Sequence, residues 1–250
     1  MKPQLTAATA RRVLTQIRRD KRTMAMIVVI PLILLTLLWW MFQDVPVMPG
    51  KPTPFDSVGP GIMGLFPLIV MFLITSVTTL RERQGGTMER LMASPARRAD
   101  IVLGYALAFG LLAAVQGALV VAYSVWVLKL DFKGPVWALM LIIVLDAILG
   151  TALGLAASSL ARTEFQALQM MPAIILPQLL LAGIAVERSK LPRVLEWISD
   201  ALPLSYAIDA IHYLSANADA SGIWDEVLIL CCFIVGALVL GITSLRRRTG

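Results

Sequence analysis

The chain has 250 residues, of which 58% are hydrophobic and only 15% charged, with a formal net charge of +6 and a mean hydropathy of +0.79. A water-soluble domain of this length carries more charge and shorter apolar runs, which excludes that class. Several runs reach the roughly 20 residues that cross about 30 Å of hydrocarbon as a helix, and their continuity, without alternation, excludes a transmembrane β-barrel.

The expected fold is an all-α polytopic membrane protein, a single transmembrane domain over residues 1–250, with backbone groups satisfied inside helices because lipid offers no partners. Residues 1–23 come first. Val13, Leu14 and Ile17 share one helical face with Arg11, Arg12, Arg18 and Arg19 around it, the pattern of an amphipathic helix lying on the cytoplasmic leaflet. The basic start is followed by a long apolar run with no small-residue cleavage site, which favours a retained first span over a cleaved signal peptide.

Six spans follow, at residues 24–42, 59–80, 101–128, 135–160, 165–186 and 227–245. Between the first two, the proline-rich stretch 45–60 reads as an outer loop. Residues 81–100 form a charged loop. Between spans five and six, residues 187–226 include an apolar piece, 201–214, that is too short to span and reads as an interfacial or re-entrant helix.

Charge sets the sidedness. Sixteen of the 22 Lys and Arg residues lie in the N-terminal segment, the 81–98 loop, the Arg162 loop and the C-terminal tail, against six in the other connecting segments. The positive-inside rule places the sixteen, and both termini, in the cytoplasm of a cell that carries this chain in its plasma membrane. All six tryptophans (Trp39, Trp40, Trp126, Trp137, Trp197 and Trp224) fall at the opposite ends of spans or in the opposite segments, where the headgroup region favours amphipathic rings. The basic balance then records topology and anionic lipid as partner, with no nucleic acid implied.

The charged loop has an internal pattern. Gly85 and Gly86 can end the second span. Thr87 to Ser94 then fits a short helix, with Glu89 in its first turn, Met88, Leu91 and Met92 on one apolar face, and Pro95 as terminator. A compact amphipathic helix outside the bilayer fits a groove on another protein.

Candidate chemistry is sparse. No G-x-x-x-x-G-K-[ST] phosphate loop occurs, so ATP cannot be cradled by that route. The single histidine, His212, lies beside Tyr213 without a serine or cysteine elbow, and no metal-ligand spacing or catalytic set is present. Cys231 and Cys232 are adjacent and apolar in context, and read as fillers. This argues against an intramembrane enzyme, which needs clustered His, Asp or Arg at the membrane surface. A pump or channel driven without ATP would show several intramembrane charges. The spans hold one, Asp146, on a stripe with Gly150, Gly154 and Ser158 that admits a close helix neighbour. Gln116 and Gln178 lie at similar depth and could donate hydrogen bonds to it. Both a packing clamp and a polar point on a cargo path remain open for these three residues.

The segment R-E-R-Q-G-G-T-M-E-R-L-M-A-S-P, residues 81–95, resembles the cytoplasmic loop of type-2 ABC exporter permeases, closest to daunorubicin-resistance-type drug exporter permeases. The N-terminal R-R-D-K-R followed by a span with Pro31 resembles that family's entry helix. L-L-A-G-I, then L-P, then I-S-D-A-L-P-L-S-Y-A-I-D-A-I resembles its fifth span and outer re-entrant helices. After Gly183 this chain has I-A-V-E-R where the family often has an aromatic or proline-containing turn.

The resemblance implies a coupling helix docked on a separate ATPase subunit, with Glu82, Gly86, Thr87, Glu89, Leu91, Ser94 and Pro95 in the docking role. It also implies ATP and Mg on that partner, with no cofactor in this chain and no enzymatic activity of its own. One coupling loop per chain implies a homodimer bound to two ATPase copies. The implied function is export of amphiphilic or hydrophobic compounds such as antibiotics; export of a lipid or polysaccharide precursor is the alternative.

Overall fold

In the computed structural model, residues 3–46, 52–85, 98–184, 186 and 188–246 are described. They form α1 (Pro3–Arg19), α2 (Lys21–Phe42), α3 (Pro54–Gln84), α4 (Arg98–Trp126), α5 (Val136–Leu160), α6 (Glu164–Leu181), α7 (Arg193–Asp200), α8 (Pro203–Ala216) and α9 (Trp224–Arg246), with short 3-10 turns at Arg188–Lys190 and Ser221–Ile223. No strand occurs among the described residues.

Local chemistry sets the helix starts. Asp20 caps α2 by accepting from the backbone of Arg22 and Thr23. Thr53 and Asp56 form a reciprocal capping box at α3, with Pro54 in the first turn, where its missing N–H costs nothing. Thr163 accepts from Gln166 N to start α6.

Among the described residues five helices are long and apolar enough to cross a membrane: Lys21–Phe42, Pro54–Gln84, Ala99–Trp126, Val136–Leu160 and Ser221–Thr243. The expected fifth of six spans coincides with α6, which does not join them. It has 18 residues, ends at Leu181, and carries glutamines and two internal prolines, Pro172 and Pro177. The piece expected at 201–214 is α8, and the amphipathic α7 precedes it.

The centre of the bundle is the crossing of α3 and α5, the most extensive helix pair. Two glycines of the small-residue stripe bring the backbones together. A Cβ at Gly150 would lie 2.3 Å from the Leu68 carbonyl oxygen, and one at Gly154 would lie 2.6 Å from that of Phe72. Lipid supplies no hydrophobic drive between helices, so such close packing is a main source of their association. Around this crossing, Leu68, Leu139, Ile142, Leu149, Ile208 and Ile211 form a core that joins α3, α5 and α8.

The N-terminal helix departs from expectation. Its apolar face does not lie open to lipid: Val13 and Ile17 are buried in a cluster with Ile101, Tyr105 and Phe109 of α4. Gly104 makes the approach possible, since a Cβ there would fall 2.6 Å from Thr9 Cβ. The face left uncovered is basic and polar, with Arg11, Thr15, Arg18 and Arg19 exposed.

Candidate functional site

The apolar run of the second span ends at Leu80, but α3 continues through Gln84 and stops at Gly85, one of the two glycines expected to end it, whose N–H donates to Arg81 O. Arg81, Glu82, Arg83 and Gln84 are therefore held on one rigid helix, and each makes a different contact.

Glu82 points inward and is 6% exposed. Arg12 of α1 donates to its Oε2 at 2.7 Å and to the Tyr105 hydroxyl of α4 at 2.6 Å. The Tyr105 hydroxyl also donates to Glu82 Oε2, and the Arg12 guanidinium lies 5.8 Å from the Tyr105 ring centre. Burial works against the charge on Arg12, but the bonds to Glu82 and Tyr105 outweigh it and raise its pKa above the ordinary arginine value. Three helices thus meet at one charged, hydrogen-bonded point.

The other side chains bind the chain between α5 and α6. Arg81 forms a two-pronged pair with Glu164 at 2.9 and 2.8 Å, Gln84 donates to Arg162 O at 2.8 Å, and Arg83 donates to Ser158 O. The end of α3 is thereby bonded directly to α1, α4, α5, α6 and the α5–α6 connection.

Of the residues assigned to docking, only Glu82 is described, and its carboxylate is buried against Arg12 of α1 and Tyr105 of α4. Gly86, Thr87, Glu89, Leu91, Ser94 and Pro95 lie outside the described residues. Sequence reasoning missed Arg12 and Tyr105. Arg12 is one of several arginines on its helix, and Tyr105 looks like ordinary span filling.

At mid-bundle, Asp146 is fully buried, and neither carboxyl oxygen has a hydrogen-bond partner among the described residues. A Cβ at Gly64 of α3 would come 3.3 Å from its Oδ2. The two glutamines expected to reach it are occupied elsewhere. Gln116 donates to Ile27 O at 2.8 Å. Gln178 donates to Ile174 O and accepts from Leu204 N at 3.2 Å. Neither glutamine therefore hydrogen-bonds to Asp146. Among the described residues no group of three or more His, Cys, Asp or Glu could hold a metal.

A family model described as "ABC-2 type transporter" matches residues 3–215. The chain belongs to the ABC-2 type transporter family. The chain is 24% identical over 208 residues to "ABC transporter G family member 20" of Dictyostelium discoideum, covering 81% of this chain and 28% of that protein. It is 25% identical over 198 residues to "Probable multidrug ABC transporter permease YbhR" of Escherichia coli (strain K12), covering 71% and 53%. It is 24% identical over 192 residues to "Probable multidrug ABC transporter permease YbhS" of the same organism, covering 76% and 50%. This ABC-2 type chain therefore spans only 28% to 53% of the length of these curated relatives. It is a multi-pass membrane protein. The Arg12–Glu82–Tyr105 contact lies within the matched residues.

Proposed function

We propose that this ABC-2 type chain is the permease subunit of an ATP-driven exporter, moving amphiphilic or hydrophobic compounds out of the cell. A separate ATPase subunit binds ATP and Mg and docks on the 81–100 loop; two copies of each chain make the working unit. The observation that carries the reading is the arrangement at the end of α3. The helix that leads into the 81–100 loop stays helical through Gln84, and its final four side chains tie it to α1, α4, α5 and α6. A push on the loop therefore has a mechanical path into the bundle. Glu82 anchors that path, while Gly86, Thr87, Glu89, Leu91, Ser94 and Pro95 meet the ATPase.

The six-span reading belongs to the same proposal. The helix α6, with α7 and α8 following it, completes an even number of crossings and keeps both termini in the cytoplasm, as the arginine and lysine bias requires. Names of relatives that include "multidrug" support efflux of amphiphiles.

The test is co-purification with an ATPase subunit encoded beside this chain, then a screen for compounds that stimulate ATP hydrolysis by the complex. Stimulation by hydrophobic cations or antibiotics supports drug efflux. Stimulation by lipid-linked precursors alone would replace that cargo class, and failure of every neighbouring ATPase to bind would overturn the coupling reading.

A further inference from the structure

The opposite end of the bundle holds a second ionic cluster, remote from Arg12 and Glu82. It is centred on Arg188, in the stretch where this chain departs from the turn its family often has after Gly183. Arg188 NH1 donates to Asp209 Oδ2 on α8, and NH2 donates to Asp200 Oδ1 at the end of α7. Its guanidinium lies 5.4 Å from the centre of the Tyr206 ring. Only 15% of the Arg188 side chain is exposed.

The division of partners is informative. The arginine belongs to the segment that leaves α6, while its carboxylates belong to two other helices. Without the guanidinium, Asp200 and Asp209 would act on each other as like charges. One planar fork can satisfy both carboxylates at once, which a lysine ammonium does poorly. The turn beneath the fork is specific too. Gly183 has φ +92, and a Cβ there would sit 3.3 Å from Arg188 Cγ, so a residue without a side chain lets α6 end directly under the arginine stem.

Under this ionic rim the same elements meet through a neutral polar layer. Ser199 Oγ donates to Leu181 O at 2.8 Å and lies 2.9 Å from Ser205 Oγ. Leu204 N donates to Gln178 Oε1, and Tyr206 donates to Asp200 O at 2.7 Å. Ser199 and Ser205 are fully buried. For α8 to part from α6, Arg188 must leave Asp209; for α7 to part, it must leave Asp200.

We propose that Arg188 is a latch that holds α7 and α8 closed over the end of α6, and that its release exposes the buried layer at Ser199 and Ser205 to water. A conformational device of this kind places control of access at this end of the bundle in one side chain. The inference adds to the exporter reading and depends on it only for calling this the outer end; the closure itself follows from the contacts.

The test uses the full chain in lipid nanodiscs, where reagent reaches both faces, so it needs neither the ATPase nor a cargo nor a sidedness assignment. Cys231 and Cys232 are replaced by serine, Ser205→Cys is introduced, and the rate of its modification by a water-soluble thiol reagent is measured. The rate should be low with Arg188 present. Arg188→Ala should raise it about tenfold or more, the factor expected when a charge-assisted hydrogen bond is lost. Arg188→Lys should fall between. The charge exchange Arg188→Asp with Asp209→Arg rebuilds the arm to α8 but sets a carboxylate beside Asp200, so it should bring the rate below that of Arg188→Ala without reaching the parent's. An unchanged rate in Arg188→Ala overturns the latch. A rate in the exchanged variant as fast as that of Arg188→Ala, with a native melting midpoint, also overturns it, because Arg188 would then act by packing and not by pairing. Should Arg188→Ala fail to fold, Asp209→Asn keeps the shape and removes one arm's charge, and its rate is read by the same criterion.

Discussion

Arg12 and Glu82 are 70 residues apart in sequence, yet their guanidinium and carboxylate meet at 2.7 Å with the Tyr105 hydroxyl bonded to both. The pair fastens α1 to the last turn of α3. Its partners come from three helices, so its formation reports the assembled bundle.

Removing one member of this contact should both loosen α1 and uncouple transport. Glu82→Gln keeps shape and one acceptor but loses the charge, and should lower stability by about 2 kcal/mol, the scale of a hydrogen bond to a charged group. Arg12→Lys should cost less and Glu82→Ala more, because the latter leaves the arginine without its carboxylate. Melting midpoints of the purified chain, followed by size-exclusion fluorescence, rank the three. If Glu82→Ala melts with the parent and transports normally, the contact has no mechanical role.

The crossing of α3 and α5 is expected to tolerate no side chain at Gly150. A methyl group there would overlap the Leu68 carbonyl, 2.3 Å from the Cβ position, and the backbones would have to separate. Gly150→Ala should destabilise by about 1–3 kcal/mol, the usual range for overpacking. Gly110→Ala and Gly236→Ala are the controls. Nothing lies within 4 Å of their Cβ positions, and both glycines sit inside helices, so each should be neutral or slightly stabilising. A Gly150→Ala midpoint equal to the controls would contradict the close approach.

The start of α2 should be sensitive to acid. Asp20 accepts from the Thr23 hydroxyl at 2.7 Å and from the backbone of Thr23 and Arg22, and these bonds, the hydroxyl first, hold its carboxyl below the usual carboxylate range. Because its folded pKa is depressed, the cap's contribution is present above the unfolded value near 3.8 and is lost as pH falls through the folded value. Asp20→Ala should remove it at neutral pH, at a cost of about 1 kcal/mol typical of an N-cap. The difference in melting midpoint between parent and variant should shrink below pH 4. A difference that stays constant through that range would show that the carboxylate charge does not matter.

Much of the helical plan is readable because short-range rules decide it. The proline-rich stretch 45–60 reads as an outer loop with a span from 59, yet the capping pair Thr53 and Asp56 starts α3 at Pro54; of the six expected spans, five are long and apolar enough among the described residues. The spacing of Gly150 and Gly154 identifies the face of α5 that meets a neighbour, though not that the neighbour is α3. What stays hidden depends on partners distant in sequence. The amphipathic face of α1 has the same periodicity whether it meets lipid or α4, and Gly104, which decides the matter, lies about ninety residues away. Glu82 belongs to a recognisable loop motif, but its inward orientation follows from α3 continuing one turn past the apolar run. The expectation that Gln116 and Gln178 reach Asp146 rested on position along the spans alone, and both glutamines bond to backbone groups of other segments or of their own helix instead.

Sidedness can be read directly in intact cells. In a background lacking Cys231 and Cys232, Ala218→Cys, exposed between α8 and the 3-10 turn before α9, should label with an impermeant thiol reagent added outside. Thr15→Cys, exposed on the basic face of α1, should label only after permeabilisation. Labelling of position 15 from outside would invert the whole arrangement.

Asp146 offers the sharpest separation of packing from transport. Its carboxyl is fully buried against Gly64 without a hydrogen-bond partner among the described residues, and the nearest side chain to the Gly64 Cβ position after Asp146 is Ile211. A packing clamp would draw its strength from hydrogen bonds, and no such bond ties Asp146 to Gln116 or Gln178. Asp146→Asn has nearly the same shape and should therefore leave assembly and melting midpoint within about 0.5 kcal/mol of the parent, the range of substitutions that break no contact. Stability is then free to differ from function. If the carboxyl meets cargo when α3 and α5 part, Asp146→Asn should reduce export of cationic amphiphiles by about tenfold, the loss of one charge-assisted contact, while neutral compounds move normally. Transport assays with matched cationic and neutral compounds make the comparison. Equal export of both by Asp146→Asn would remove the residue from the cargo path, and a large fall in its melting midpoint would return it to a packing role.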